Sequence, residues 1–238
     1  MAKAWSVLTV SLILLCAACG GGALPSTPSP VDPSPTPLAG SRALPTPAPD
    51  TLYVHAGRQL GAISPFVYGT NYGPWSIVPF DLQSQARTAG ITYLRLPGGN
   101  WGDQHNLRPF HIDPLIDMAQ QMGAEPSISV RMEGGTPEQA AEMVRYTNVE
   151  KGYGVRYWSI GNEPALYGEY DTERHNAEWR AIAEAMLEVH PEILLLGPEV
   201  TQYTGNPQTD PRDDAGREWV REFLLNNGDL VDVVAVHR

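Results

Sequence analysis

Val155-Arg156-Tyr157-Trp158-Ser159-Ile160-Gly161-Asn162-Glu163-Pro164 is the stretch whose reading decides the fold. Its first half is apolar, aromatic and β-branched, the composition of a buried strand. Gly161-Asn162-Glu163-Pro164 then breaks the run with polar residues and a proline that cannot continue a sheet ladder. The stretch therefore delivers a carboxylate to the point where a buried strand emerges. In an α/β barrel that point is the catalytic rim, because active sites lie at the C-terminal ends of the strands. A loop carboxylate capping the next helix is the plain alternative for Glu163.

Apolar runs and helical patterns alternate on both sides of this stretch. Residues 65–71 read as a first strand, 79–89 as a short helix and 90–96 as a second strand ending at Pro97-Gly98-Gly99. Over 112–122, Ile112, Leu115, Ile116, Ala119 and Met122 recur at spacings of three and four, the apolar stripe of a helix. Residues 126–132 form a third strand. Thr136-Pro137-Glu138-Gln139 is a helix start, with a threonine cap, proline in the first turn and Gln three residues on; that helix runs to about 148. After the opening stretch, a helix from Asp171 or Thr172 to Val189 buries Trp179, Ile182, Ala183 and Met186. A fifth strand covers 193–196 and is closed by Gly197-Pro198, a Gly/Asp/Pro-rich loop spans 201–215, a helix covers 218–225 and a sixth strand 230–236. Near-continuous apolar strands alternating with helices mean a parallel sheet. Six such units are two short of a closed eight-stranded barrel. The chain reads either as an open doubly wound sheet or as an α/β (β/α)8 TIM barrel truncated after its sixth strand, and an apolar sixth strand ending at His237-Arg238 favours the second.

The N-terminal fifty residues stand outside this pattern. Lys3 followed by an apolar run over 7–18 and small residues reads as a secretory signal, too short to span a bilayer comfortably. Ala17-Ala18-Cys19-Gly20 is similar to a bacterial lipobox, with Cys19 the lipidated residue and 1–19 the leader; Cys16 replaces the usual leucine. Cys16 and Cys19 are the only cysteines, so no disulfide staples the folded part. Nine of the 22 prolines fall between Pro25 and Pro49, which makes 20–50 a semi-rigid polyproline spacer and leaves 51–238 as the folded domain. These readings imply a secreted, extracellular protein, either a lipoprotein that meets a membrane only through its anchor or, given Cys16, one released by ordinary secretion. Charges in the first fifty residues cancel, so the net −11 belongs to 51–238 and argues against a nucleic-acid partner.

The strand ends carry a resemblance. Trp158-Ser159-Ile160-Gly161-Asn162-Glu163-Pro164 resembles the fourth-strand signature of clan A retaining glycoside hydrolases. Arg95-Leu96-Pro97-Gly98-Gly99-Asn100 looks like the second-strand motif of arabinofuranosidase-type members. Asn162-Glu163-Pro164-Ala165-Leu166-Tyr167, Gly197-Pro198-Glu199 and Val231-Asp232-Val233-Val234-Ala235-Val236-His237 are more like glycoside hydrolase family 44, a group of endoglucanases and xyloglucanases. The resemblance covers nearly all of 64–238. It implies a TIM barrel, a poly- or oligosaccharide substrate and no cofactor. It makes Glu163 the general acid/base and Asn162 the ligand of the sugar 2-hydroxyl. The retaining mechanism needs a second carboxyl about 5–5.5 Å away, and the resemblance places that nucleophile on a seventh strand, which this sequence lacks.

Other residues are read beside that assignment. Arg95, a charge inside an apolar strand, is costly unless paired; by resemblance it orients the catalytic carboxylates. His237 matches a position near the active site. Glu199 and Glu133 close strands five and three and line the same rim, Glu199 as a loop carboxylate contacting substrate near a subsite and Glu133 as a substrate-contact or loop residue; neither sits where the resemblance puts the nucleophile. Asn71, Asn100 and Trp101 lie on the first two rim loops, where they would meet sugar hydroxyls and faces; Trp75 is a weaker candidate. His55, His105, His111, His175 and His190 have no metal-site spacing, and Gly98-Gly99 lacks what a phosphate loop requires. Two rival readings are a non-catalytic carbohydrate-binding lipoprotein on the same scaffold and an open α/β solute-binding protein.

Overall fold

The computed structural model describes residues 48–50, 60–75 and 78–238, and residues 60–238 form one compact unit. The leader, Cys19, most of the spacer and His55 lie outside the described residues. Six strands, β1 (Gly69–Asn71), β2 (Tyr93–Leu96), β3 (Glu125–Val130), β4 (Tyr157–Ile160), β5 (Leu194–Val200) and β6 (Val233–Val236), pair in chain order. Every pairing is parallel. Strand order never reverses, so the switch point of a doubly wound sheet is absent. Right-handed crossovers then put the helices on one face.

That face is the core. The helices are α1 (Gln83–Thr88), α2 (Trp101–Gln104), α3 (Pro109–Met122), α4 (Pro137–Val144), α5 (Thr172–Val189) and α6 (Trp219–Asn227). Alternate strand residues such as Leu94, Ile128, Trp158 and Leu195 are fully buried with Ile112, Leu115, Trp179, Met186 and Phe223 from the helices. The other face is concave. Tyr93 and Tyr157 project from β2 and β4, which a flat sheet would hold about 9.5 Å apart, yet their ring centroids lie 6.0 Å apart. Phe66 packs on both, at 5.7 and 5.8 Å. The sheet is therefore a curled half-barrel. β1 and β6 are its edges, and on β6 the neighbouring Val233 and Val234 are both exposed.

Local structure departs from the sequence reading in a few places, each with a cause. The first strand shrinks to Gly69–Asn71, because Ser64 caps Phe66 N–H at 3.2 Å and turns Pro65–Val67 into a 3-10 helix. β5 is not closed by Gly197-Pro198 but runs through it to Val200, since a register shift between Pro198 and Val200 absorbs the missing donor. The fourth helix starts as expected, Thr136 accepting from Gln139 N–H, but widens after Val144 into a π-helix over Arg145–Glu150. There Asn148 pairs twice with the main chain of Val155, at 2.8 Å each way, and fixes where the decisive stretch begins. The loop after β5 is tied down by Arg217, which pairs with Asp213, Asp171 and Glu173 and so fastens it to the start of α5.

His175 on α5 supplies a test of the core. It is wholly buried against Tyr170, Trp219 and Phe223, and burial pushes its pKa down to about 4. The unfolded chain takes up this proton near pH 6.5, so stability is full above that value and is lost as pH falls towards 4. Urea unfolding at about pH 7 and about pH 4.5 is expected to show a loss on the order of 3 kcal/mol from this residue. His175→Gln should lower stability at neutral pH and flatten this dependence; an unchanged slope would show that the ring is not held neutral.

Candidate active site

The end of β4 is built by backbone conformations that few residues accept. Gly161 has φ 78°, and a Cβ there would lie 2.8 Å from Met132 Cβ and 2.9 Å from Tyr167 Oη. Glu163 follows with φ 53°, and Glu199, near the end of β5, has φ 58°. Left-handed backbone is uncommon outside glycine and concentrates at functional sites. The two segments are joined directly, Glu163 N–H donating to the Glu199 carbonyl at 3.0 Å.

His237, just past β6, lies between the two carboxylates. Its Nδ1 is 3.0 Å from Glu163 Oε1 and its Nε2 2.8 Å from Glu199 Oε2. Its main-chain N–H donates to Val200 O at 2.8 Å, which fixes the ring's base. The bond to Glu199 holds the imidazole above the ordinary histidine range, Glu163 adds to this, and burial and Arg95 oppose it. Arg95 reaches from β2 to donate to Glu199 Oε2 at 3.0 Å and to Asn162 Oδ1 at 3.1 Å. A flat sheet would hold β2 and β5 about 14 Å apart, so this contact depends on the curl. Asn162 Nδ2 in turn donates to Asn100 Oδ1 at 2.6 Å.

Asp103, on the short helix α2, escaped the sequence reading. Its carboxylate is buried and accepts from Met132 N–H at 2.9 Å, Glu133 N–H at 3.3 Å, Asn162 N–H at 2.8 Å and the Tyr167 hydroxyl. One side chain thus ties the rim after β2 to the ends of β3 and β4. Burial and the Asp103 carboxylate push the Tyr167 phenol far up, so it remains a donor. A helix of four residues has no legible apolar period, and only the capping-type Asn100 ahead of it hints that it exists.

Among the residues singled out in the sequence, Glu163, Asn162, Arg95, Asn100, His237 and Glu199 form one connected cluster. Asn71 does not join it by a hydrogen bond and lies instead over Gly98, where any side chain would collide with it. Trp101 is half-buried, stacked on His105 at 4.9 Å and flanked by His111 at 5.2 Å and Trp75 at 6.1 Å. Glu133 is exposed, and the contacts of its segment run through its main chain to Asp103 and Arg131.

Chemically, the cluster presents one accessible carboxyl. The Glu163 side chain is 25% exposed against 5% for Glu199. Glu199 is engaged by both Arg95 and His237, and the imidazole fills the gap between the carboxylates. A glycosidic bond has no room between Glu163 and Glu199, so this pair is not the two flanking groups of a double displacement.

The half-barrel resembles the fold of clan A glycoside hydrolases. No protein-family model matches the chain. It is 23% identical over 211 residues to alpha-L-arabinofuranosidase C of Emericella nidulans, an alignment covering 62% of this chain and 42% of that protein. Among solved structures, a GH51 arabinofuranosidase from Xanthomonas axonopodis pv. citri superposes with a TM-score of 0.56 at 15% identity, covering 73% of this chain and 45% of the other. A Paenibacillus polymyxa xyloglucanase of glycoside hydrolase family 44 gives 0.52 at 16%, covering 74% and 52%. The chain thus spans less than half the length of this curated relative, and the structural likeness is one of fold.

Replacing Asp103 by alanine strands the buried main-chain donor of Met132, leaves Asn162 N–H only its longer contact to the Tyr167 hydroxyl, and removes the acceptor of that hydroxyl. A stability loss of about 3 kcal/mol or more is expected in urea unfolding. A loss below about 1 kcal/mol would mean that the rim does not depend on this side chain.

Proposed function

We propose that the protein is a glycoside hydrolase that cleaves plant-type polysaccharide with retention of configuration, with Glu163 as general acid/base. The observation that carries the reading is a partly exposed carboxyl at the C-terminal end of β4, preceded by an asparagine fixed by Arg95 and Asn100 and held by an imidazole. Barrel enzymes place their catalytic groups at this level, and an acid that returns as base needs this partial access to solvent. The substrate is an α-L-arabinofuranosyl-bearing polymer or a β-glucan such as xyloglucan, the activities in the names of the similar proteins. Asn162 would meet the sugar 2-hydroxyl, and Asn71, Asn100 and Trp101 would line the approach. By resemblance to the clan A pattern, the attacking carboxylate falls on a seventh strand; Glu199, separated from Glu163 by His237, does not take that part. The same observation favours a second reading, a sugar-binding protein on this scaffold that does not cleave. Secretion and lipidation at Cys19 complete the proposal and rest on the leader and spacer sequences.

Coding sequence beyond Arg238 tests the nucleophile assignment. A glutamate closing a seventh strand is expected, and an in-frame stop directly after Arg238 overturns it. In the encoded protein, Glu163→Gln should cost on the order of 10² to 10⁴ in turnover of arabinan or xyloglucan. The first product released should keep the anomeric configuration of the substrate. Undiminished turnover in the variant would remove Glu163 from catalysis, and glycan binding without any cleavage would establish the second reading.

A further inference from the structure

We propose that Glu199 is a positioning residue that acts through His237, holding the imidazole as a proton relay into the Glu163 carboxyl. The inference deepens the acid/base role given to Glu163 and rests on it for its catalytic part.

The geometry leaves the ring little choice. Both of its nitrogens face carboxylate oxygens, 3.0 Å to Glu163 and 2.8 Å to Glu199. An ionised carboxylate only accepts, and a neutral imidazole has one N–H, so two ionised partners are satisfied together only by the doubly protonated ring. The other satisfying arrangement has the ring neutral, with Nε2–H kept on Glu199 and the proton moved from Nδ1 to Glu163 Oε1. The two arrangements hold the same number of protons. They differ by one transfer along the 3.0 Å contact, after which Glu163 is a carboxylic acid and His237 is neutral.

Glu199 sets the direction of that transfer. Arg95 and His237 both bond the same oxygen, Oε2, and the side chain is only 5% exposed. Its orientation is therefore fixed from both sides, and the ring presents Nδ1 rather than Nε2 to Glu163. Charged groups around the ring are Glu163 from the end of β4, Glu199 from β5 and Arg95 from β2. In the reaction, Glu163 gives its proton to the departing glycosidic oxygen and becomes a carboxylate. When it later takes a proton from the attacking water, that proton passes to Nδ1, and the starting arrangement is restored. This role differs from the substrate-contacting one read from the sequence for Glu199.

Histidine titration followed by ¹⁵N NMR tests the relay without requiring turnover. His237 is expected to titrate above ordinary histidines with both nitrogens protonated in neutral solution, and Glu199→Gln to move its midpoint down. If that variant does not fold, Glu199→Asp, which keeps the charge and withdraws the oxygen from Nε2, should move the midpoint in the same direction. An unmoved midpoint in the folded variant overturns the proposal. In the encoded enzyme, Glu199→Gln should cost on the order of 10² in kcat/KM, which reports the first step, on glycosides with poor leaving groups and little on activated aryl glycosides, whose departure needs no acid. Equal losses on both would show a merely structural residue and overturn it. If the unmodified enzyme cleaves neither substrate, the glycosidase reading fails, while the NMR midpoint still decides whether Glu199 positions the ring.

Discussion

The ion pair between Arg95 and Glu199 joins β2 to β5 across the concave face at 3.0 Å, and the site depends on it. Without the curl the two groups could not meet. Without the pairing, the Arg95 guanidinium would sit largely buried with no opposing charge, a cost of several kcal/mol. A buried pair of this kind adds little net stability over an apolar replacement, so its presence is better explained by what it holds in place. On one side it fixes Asn162, and through it Asn100; on the other it fixes Glu199, and through it His237. Three strands and two rim loops thus share one electrostatic centre.

The architecture was largely legible in the sequence because the strands have a helix-facing side that must be apolar. Leu94, Ile128, Trp158 and Leu195 declare buried strands, and the stripe of Ile112, Leu115, Ile116 and Ala119 declares the helix that covers them. What chain order alone left open, a doubly wound sheet or a barrel, was decided by pairing, which periodicity does not encode. The misread ends have local causes. Ser64 captures Phe66 N–H and converts part of a β-branched run into a turn. Gly197-Pro198 reads in the sequence as the end of β5, whereas a shift of register lets the strand continue.

The site was legible in its members but not in its connections. Residue type and strand-end position pointed to Glu163, Arg95 and His237 separately. That His237 lies between Glu163 and Glu199 is a fact of three-dimensional closure, produced by the β5–β6 pairing and two left-handed glutamates. Asp103 gave no signal, since a buried carboxylate whose partners are main-chain N–H groups leaves no complementary residue to find in the sequence. Its importance follows from burial and from its donors: Met132 N–H bonds to it, and Asn162 N–H has besides it only the longer contact to the Tyr167 hydroxyl.

Small residues on the inward face make the central contact possible. Arg95 is in register with Ser127 on β3, and Ser129 is in register with Ser159 on β4. All three serines are buried, and Ser129 donates to the Gly161 carbonyl at 3.1 Å, steadying the turn that carries Asn162 and Glu163. Side chains of this size leave a trough across β3 and β4 through which the long arginine passes to reach β5. Leucine or phenylalanine at these positions would fill that trough and improve apolar burial, but would break the contact between Arg95 and Glu199. The short inward side chains of β3 and β4 therefore have a reason: they leave the guanidinium that organises the rim within reach of β5.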